Sequence, residues 1–433
     1  MQLYGYQKLG AQFLASRQRA LLADGMGLGK SAQAICAARA VNARNLAVVC
    51  PAIARPNWVR ELQLWNFTGT SLVESYDKVT SRRELQEEIK AMRPDVLVLD
   101  ESHYLKNRTA KRTKVLYGAQ SLGDGIVKHA QRVWMLSGTP VPNNPSELWT
   151  MFAANFPDLI PNKLGGERPQ NWYEFLSKYC FYTRHPDWGI QVQGCRRPEE
   201  LGELLNRCWL RRRPEEVNSD LPPITWGTTI LDPKKTKELR DYMKSPEYKE
   251  IQKVVDAAIE KDGNLAVPYL ATIRRLTGLA KVGPAADLIK SELEARDYKK
   301  VVLFYQHREV GDQLQYRLGK FGLVRIDGST QANARQRLID QFQTDSNCQV
   351  FLGQIKTCGT AINLQAASQV VFVENSWSFA ENEQAGKRCH RLNSRKPVFV
   401  RMLTLAGSID EAVTKVLARK AQMNSQIEDA RSE

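Results

Sequence analysis

Metal-binding clusters and long apolar runs are missing from this sequence. Its eight cysteines never form a C-x-x-C pair, and its five histidines do not cluster beside them at ligand spacing. Structural zinc needs such clusters, so we expect no zinc site and reduced, mostly buried thiols. No run approaches the ~18 apolar residues of a membrane span, and the N-terminal stretch lacks a signal-peptide layout. These absences predict a soluble, intracellular protein.

Basic residues, in contrast, are in excess. The chain has 62 lysines and arginines against 47 acidic residues, which gives a formal net charge of +15 over 433 residues. A polyanionic partner such as nucleic acid fits this charge, although an evenly solvated basic surface has the same balance. The length suggests two or three domains at ~150 residues each.

Short apolar, β-branched runs alternate with helical patterns in two separate stretches. The first stretch has such runs at 46–50, 95–100 and 132–138, and the second at 301–305, 323–327, 349–353, 370–374 and 398–403. This alternation is typical of parallel α/β sheets. Charge-rich, proline-punctuated sequence with helical character lies between the two stretches. The pattern therefore predicts two parallel-sheet lobes with helical insertions between them.

The stretch LADGMGLGKS at 22–31 is close to a phosphate-binding P-loop, but Asp24 stands where the motif begins with glycine. The remaining parts of the motif are kept as Gly25, Gly27, Gly29, Lys30 and Ser31. Glycines let backbone N–H groups turn toward phosphates, while the lysine and the hydroxyl supply charge and a magnesium ligand. An apolar run before the loop and an alanine-rich run after it would place it at a helix N-terminus, where anions bind. Taken alone, an ordinary glycine-rich turn is the alternative.

Two carboxylates, Asp100 and Glu101, directly follow the hydrophobic run in VLVLDESHYLKN (96–107). This is a Walker B arrangement, in which Asp100 would hold magnesium and Glu101 would orient or deprotonate the attacking water. A solvated acidic turn is the alternative for the stretch in isolation. A further strand is followed by small and turn-forming residues, whose hydroxyls can bridge neighbouring loops: Ser137, Gly138, Thr139 and Pro140.

In the second stretch, Gln384, Arg388 and Arg391 fall at offsets of 0, 4 and 7. On a helix these offsets place the three side chains along one face. Paired arginines suit bidentate phosphate contact, and an arginine finger stabilises the charge that develops during γ-phosphate cleavage. A solvated basic helix face is the alternative.

The ordered set of motifs resembles the Swi/Snf-type double-stranded DNA translocases of helicase superfamily 2. The resemblance extends from about residue 3 to about residue 412. It is carried by LYGYQKLGAQFL, LADGMGLGKS, VVCPAIARPNW, VLVLDESHYLKN, MLSGTPVPNNPSELW, RIDGSTQANARQRLIDQF and QAGKRCHRL. DESH followed by LKN, together with LTGLAKVGPAADLI (276–289), is most similar to the branch that contains the HARP-type annealing helicases.

The resemblance implies two RecA-like lobes that use ATP and Mg²⁺. We expect a first, ATP-binding lobe at 1–152, a helical insertion and linker at 153–285, a second lobe at 286–410 and a C-terminal helix at 411–433. In the family the P-loop commonly begins with Ala-Asp, so Asp24 is compatible with ATP binding. Carried over by position, the ATP-binding set is Gln7, Asp24, Gly25, Gly27, Gly29, Lys30, Ser31 and Gln384, and the catalytic set is Lys30, Asp100, Glu101, Arg388 and Arg391. Ser31 and Asp100 would hold the metal, and Arg391 is the first choice for the finger.

For DNA, the resemblance points to loops of both lobes. The expected contacts are Asn57, Trp58, Lys106 and Asn107 in the first lobe and His307, Gly328 and Ser329 in the second. Backbone N–H groups, hydroxyls and lysines suit phosphate contacts, which position a protein without reading sequence. Ordinary loop positions are the alternative for each residue taken singly.

Three positions depart from the family pattern. Gly25 stands where an acidic residue is usual, Ala361 stands at an expected glycine, and RLNS (391–394) replaces the usual Arg-Ile-Gly-Gln ending. No catalytic side chain is removed by these changes.

The sequence is therefore interpreted as an ATP-driven translocase on double-stranded DNA that remodels forked or branched DNA or displaces bound material. No extra hairpin or appended domain is expected to act as a strand-separating wedge, so movement without conventional unwinding is predicted. An RNA or single-strand helicase and a non-catalytic DNA-binding scaffold are the alternatives. We expect a monomer without membrane association, in the cytoplasm of a bacterial or phage-infected cell, or in the nucleus if the source is eukaryotic.

Overall fold

The computed structural model describes most of the chain, and its residues fall into two compact units. The described residues are 2–118, 124–141, 144–161, 171–185, 189–217, 221–232, 241, 244–246, 248–249, 270–358, 362–391, 394–408 and scattered positions from 410 to 427. The first unit comprises Met1–Ser219 with Gln422–Glu433, and the second comprises Asp220–Ala421. Among the described residues, no helix combines the length and the apolar character needed to cross a bilayer.

The first unit is built on a six-stranded, wholly parallel sheet with the strand order β3-β2-β4-β5-β1-β8. Its strands are β1 (Arg19–Leu22), β2 (Asn45–Cys50), β3 (Thr70–Ser75), β4 (Val96–Asp100), β5 (Arg132–Leu136) and β8 (Trp209–Leu210). Apolar side chains of β2, β4 and β5 are buried on both faces of the sheet, as expected for parallel strands that helices cover on each side. Two separate clusters of buried side chains form the core of this unit.

Helices of the first unit connect these strands. They are α1 (Gly5–Ala15), α2 (Lys30–Ala40), α3 (Arg55–Leu64), α4 (Tyr76–Ser81), α5 (Arg83–Met92), α6 (Lys111–Tyr117), α7 (Trp149–Asn155), α8 (Trp172–Tyr179), α9 (Pro198–Cys208) and α10 (Pro214–Val217). Helix α8 begins at a capping box in which Asn171 and Glu174 satisfy each other's backbone N–H groups.

A two-stranded antiparallel hairpin, β6 (Cys180–His185) and β7 (Gly189–Cys195), follows α8. The sequence indicated helical character for this segment and did not reveal the hairpin, which lies among helices. Strands β8 and β9 also lie inside the segment 153–285, and each joins one of the two large sheets. The domain bounds proposed from the sequence stay a prediction.

The second unit repeats the architecture with a sheet ordered β11-β12-β10-β13-β14-β9, again wholly parallel. Its strands are β9 (Ile224–Leu231), β10 (Val301–Tyr305), β11 (Leu323–Ile326), β12 (Val350–Gln354), β13 (Gln369–Phe372) and β14 (Val398–Leu405). Its helices are α11 (Leu270–Glu294), α12 (Arg308–Leu318), α13 (Ala332–Thr344), α14 (Ile355–Cys358) and α15 (Phe379–Gly386). The predicted fold class, two parallel α/β sheets, is confirmed.

All eight cysteines are free thiols, and six of them are buried. Burial of this kind matches the expectation drawn from their spacing.

Candidate functional site

The glycine-rich loop lies where the sequence predicted, between the carboxyl end of β1 and the start of α2. Gly29 is the N-terminal cap of α2 and has φ of +72°, in the left-handed region that favours glycine. A Cβ at this position would come within 2.5 Å of the Gln7 amide nitrogen. The loop therefore presents backbone N–H groups at a helix N-terminus, the environment that binds phosphate.

Residues of α1 brace this loop from one side. The Gln7 amide donates to the Leu28 carbonyl at 3.2 Å, and the Tyr6 hydroxyl donates to the same oxygen at 3.3 Å. The Gln7 side-chain oxygen accepts the Tyr4 backbone N–H at 3.0 Å. Both ends of the Gln7 amide are thus engaged within the first unit.

Asp24 stands where the P-loop motif begins with glycine, and its carboxylate is held by other side chains of the first unit. It is completely buried, and Arg212 approaches it with two nitrogens at 2.9 and 2.5 Å. Gln33 on α2 donates to the same carboxylate at 3.1 Å. The Asp24 side chain therefore anchors the loop to the segment after β8, and its place in the ATP-binding set stays a prediction.

The same segment explains Gly25. The Gly25 N–H donates to the Arg212 carbonyl at 2.8 Å, and a Cβ on Gly25 would lie 2.7 Å from the Pro214 ring. An acidic side chain, which the family usually carries at this position, would collide with Pro214. No local sequence motif connects this segment with the P-loop.

The Lys30 side chain extends from the start of α2 into the loop. Its ammonium donates to the carbonyls of Asp24 and Gly25, at 2.8 and 3.2 Å. Burial lowers the pKa of Lys30, against the opposing effect of the Glu101, Asp24 and Asp100 carboxylates. A Cβ placed on Gly138 would come within 3.5 Å of this ammonium, so the loop after β5 borders it closely.

The acidic pair follows β4 at the same edge of the sheet. Asp100 accepts the Trp58 indole N–H at 2.7 Å and the Glu101 backbone N–H at 3.0 Å. Burial, and then the charge of Glu101, raises the pKa of Asp100 to about 7. Tyr76 donates its hydroxyl to the Asp100 carbonyl at 2.9 Å. The carboxylate is held in a defined orientation.

This geometry corrects the assignment of Trp58 as a DNA contact. The Trp58 side chain is 1% exposed and lies in the core on one face of the sheet. Its indole N–H, the only hydrogen-bond donor of the side chain, donates to Asp100. Its residue type and position alone did not reveal this role, because Asp100 is 42 residues away in the chain.

Glu101 has φ of +50°, a left-handed conformation that is uncommon outside glycine. Its Oε2 atom is buried and lacks a hydrogen-bond partner among the described residues, although His103 Nδ1 lies 3.4 Å away. His103 Nδ1 also lies 3.1 Å from the Ser137 hydroxyl, which accepts the Thr139 N–H. The expected bridge between the loops after β4 and β5 is therefore present.

In the second unit the helix prediction for the arginine motif was wrong. Helix α15 ends at Gly386, so Gln384 lies on it but Arg388 and Arg391 follow in the turn after its end. Gln384 and Arg388 are buried, and the Arg391 guanidinium donates to the Ile362 carbonyl at 2.8 Å. Ala361 and the middle of the RLNS stretch lie outside the described residues.

The remaining predicted nucleic-acid contacts lie in loops, except Asn57, which lies on a helix. Asn57 is exposed on α3, Asn107 is exposed in an Asx turn with Thr109, and Lys106 forms an ion pair with Glu147 at 3.1 Å. In the second unit, loops at the carboxyl ends of β10, β11 and β12 line a cavity of about 180 Å³ that includes Gly328 and Ser329. The Gly328 N–H donates to Gln354 at 3.2 Å.

His307 begins α12 beside this cavity and is held by a buried carboxylate. Glu374, 4% exposed, lies 2.6 Å from His307 Nδ1 and accepts the backbone N–H groups of Gln306 and His307 at 2.8 and 2.9 Å. Burial by itself raises the pKa of Glu374, but the hydrogen bonds from His307 prevail and lower the pKa. A Cβ on Gly278 would meet Glu374 at 2.4 Å. Sequence reasoning did not find Glu374.

Comparisons with known proteins match two family models. The SNF2-related domain matches residues 68–275, and the helicase conserved C-terminal domain matches residues 284–393. The DNA annealing helicase and endonuclease ZRANB3 of Mus musculus is 30% identical over 100% of this chain and 41% of its own length. The Caenorhabditis elegans homologue of SWI/SNF-related matrix-associated actin-dependent regulator of chromatin subfamily A-like protein 1 is 31% identical over 98% of this chain and 62% of its own length.

The chain thus spans between two fifths and two thirds of the length of these relatives. Among solved structures, the Sulfolobus solfataricus SWI2/SNF2 ATPase core in complex with dsDNA is 19% identical, with 99% of this chain and 94% of that chain covered and a TM-score of 0.41. No conclusion about this chain rests on that likeness.

The successive motifs, the two parallel sheets and both family models agree, and this chain belongs to the SNF2-related helicase family of ATPases.

Proposed function

We propose that this chain is an ATP-driven translocase on double-stranded DNA that remodels forked or branched DNA without conventional unwinding. The main support for this proposal is that three loops lie together at one edge of the first sheet. The P-loop lysine, the Asp100–Glu101 pair and the Ser137–Gly138 turn lie together there, at the carboxyl ends of β1, β4 and β5. Ligands of open α/β sheets bind at this edge.

The residues present fit a magnesium–nucleotide complex. Mg²⁺ prefers oxygen ligands, and Asp100 and Ser31 offer a carboxylate and a hydroxyl. The unpartnered buried Oε2 of Glu101 is an acceptor that a water molecule can satisfy. The metal would neutralise charge on the phosphates.

The chain's own residues then divide the work. Lys30 would exchange its bonds to the loop carbonyls for bonds to phosphate oxygens, and Gly27 and Gly29 would add backbone N–H donors. Gly25, whose N–H is held by the Arg212 carbonyl, would line the loop. Glu101 would orient the attacking water. Gln7 and Gln384 would border the nucleotide, and Arg391, with Arg388 as its neighbour, would stabilise the charge developing on the γ-phosphate.

The residues that we propose to contact DNA are Asn57, Lys106, Asn107, His307, Gly328 and Ser329. Exposed N–H groups and small polar side chains at loop tips suit phosphates of any sequence. The Glu374 carboxylate fixes the His307 ring at the start of α12, so this contact is preorganised.

The test measures ATP hydrolysis with plain duplex, single-stranded, RNA and forked DNA substrates. Lys30→Ala removes the phosphate charge and Glu101→Gln removes the water-orienting carboxylate, so both variants are expected to lose turnover by orders of magnitude. Glu101→Gln is expected to retain ATP binding, measured with a fluorescent ATP analogue.

Stimulation by duplex DNA above the other substrates supports the translocase. Best stimulation by RNA or single strands would make the chain a helicase of that class, and binding of DNA without any hydrolysis would make it a scaffold. Near wild-type turnover in either variant would show that the nucleotide site is misassigned.

A further inference from the structure

The β6–β7 hairpin is a separate antiparallel sheet in a unit otherwise built on parallel strands. Cys180 at its base is buried and lies opposite Cys195 in the register of the two strands. The Arg196 N–H donates to the Tyr179 carbonyl at 2.8 Å, which ties the end of β7 to α8. Ile190 and Val192 pack against the core of the first unit. The hairpin is therefore fixed at its base.

Its first strand exposes two consecutive aromatic side chains. Phe181 is 54% exposed and Tyr182 is 38% exposed. The strand pairing shifts register between Phe181 and Tyr182, so the regular β-ladder is interrupted at this point. Phe181 pairs with Gly194, and a Cβ on that glycine would lie 3.6 Å from the Phe181 ring. Because Gly194 has no side chain to cover it, the Phe181 ring is open to a flat partner.

The hairpin shares its support with a loop assigned above to DNA. The Arg108 guanidinium lies 4.5 Å from the centre of the Trp172 ring on α8, the helix that leads into the hairpin. Lys106 pairs with Glu147, which lies in the turn Pro145–Leu148, and this turn carries core residues against which β7 packs. Arg108 follows Asn107 directly in the chain. The candidate DNA loop and the base of the hairpin are thus joined within one unit.

The charge of the exposed side chains near the hairpin fits a polyanion. Arg184 on β6 and Arg196 after β7 are both exposed. Lysine and arginine beside aromatic rings form the surfaces on which single-stranded nucleic acid binds, with rings stacking on bases and cations on phosphates. Bases within intact duplex are already stacked and offer no free face to a ring. Unpaired bases at a branch point do.

We propose that the hairpin binds unpaired bases where a DNA duplex branches, with the Phe181 ring stacking on a base and Arg196 contacting an adjoining phosphate. The proposal rests on the proposed function and names the DNA structure that the motor prefers.

The experiment places 2-aminopurine as an unpaired base at the junction of a forked duplex, since stacking on a ring quenches its fluorescence. Binding of the full chain is expected to quench the probe in wild type and not in Phe181→Ala. The preference for forked over plain duplex, measured as a ratio of Kd values, is expected to fall roughly 5- to 150-fold, the range for one stacked base.

Two further variants separate stacking from folding and from simple apolar burial. Phe181→Trp keeps a ring and is expected to keep both the quenching and the preference. Phe181→Leu keeps apolar volume without a ring and is expected to behave like Phe181→Ala. Tyr316→Ala is the matched control, because Tyr316 on α12 is an aromatic side chain exposed to 90% far along the chain from the hairpin.

An unchanged fork preference in both Phe181→Ala and Phe181→Leu would overturn the proposal, as would equal loss in Tyr316→Ala. Failure of the proposed function looks different. In that case the wild-type chain would show no DNA-stimulated hydrolysis, while fork binding and probe quenching would still report on the hairpin.

Discussion

A single ion pair, Asp24 with Arg212, joins the P-loop to the last part of the first unit. The carboxylate is completely buried and the guanidinium is 13% exposed, so each charge depends on the other for its solvation. Arg212 also donates to the Tyr6 carbonyl and to the Gln33 side chain. The pair therefore anchors the glycine-rich loop to the segment after β8.

Arg212→Ala is therefore expected to destabilise the protein by about 3–5 kcal/mol, the usual cost of leaving one buried charge without its partner. Thermal or denaturant unfolding measures the effect. The control is Arg275→Ala, whose pair with Glu309 is 39% and 57% exposed and is expected to be worth at most about 1 kcal/mol. Equal effects of the two substitutions would contradict the role given to Arg212.

Glu374 carries the second residue-scale prediction. Its pKa is lowered below the ordinary 4.5, so its contribution to stability is present above pH 4.5 and is lost as pH falls through the pKa of the folded state. Glu374→Gln is expected to cost about 1–3 kcal/mol at pH 7. Unfolding measured from pH 7 to pH 3 should show the two proteins converging in acid. A difference in the free energy of unfolding that stays constant from pH 7 to pH 3 would disprove the stabilising role given to the ionised Glu374 carboxylate.

At the scale of elements, the end of α15 determines how Arg388 and Arg391 are positioned. Because the helix stops at Gly386, Arg391 is positioned by its bond to Ile362 and by the Ser394 hydroxyl, which accepts its N–H at 2.9 Å. A guanidinium held by a turn can exchange a carbonyl for a phosphate without unwinding a helix.

Arg391→Ala is expected to lower ATP turnover by ~10³ or more, the value of an arginine finger, with little change in DNA affinity. Steady-state hydrolysis and fluorescence anisotropy with labelled duplex measure the two quantities. Arg391→Lys keeps the charge but not the planar fork, and it should recover only part of the rate. If turnover is unchanged in Arg391→Ala, the finger role passes to Arg388.

The same scale shows which elements a sequence can predict. Strands β2, β4 and β5 are continuous apolar runs and were found, whereas β3 and β9 lie at sheet edges with polar, exposed positions and were not. The catalytic candidates were found because they sit in short local motifs. The Arg212–Asp24 pair joins residues 188 positions apart and Trp58–Asp100 joins residues 42 apart, so no local pattern reveals them.

For the whole molecule, the proposed activity predicts movement along duplex without separation of its strands. Stacking costs ~1.4 kcal/mol for each base-pair step, whereas exchange of one duplex for another is nearly balanced. With ATP, the protein is expected to displace the third strand of a triplex and to leave a tailed duplex intact. Gel assays with both substrates, and Lys30→Ala as the inactive control, measure this. Efficient unwinding of the tailed duplex would place the protein among conventional helicases.

The pairing of β9 with β14 has a consequence for biosynthesis. The two strands are in parallel register from Ile224 with Val398 to Leu231 with Leu405, so partners are separated by about 170 residues. At ~5–20 residues per second, a ribosome needs on the order of 10–30 s to deliver β14 after β9 has been made. During that interval β9, with Trp226 and Ile230, has no strand to pair with and is open to aggregation. The second sheet can close only after residue 405 has been translated, which makes β9 the strand that a chaperone would shield longest.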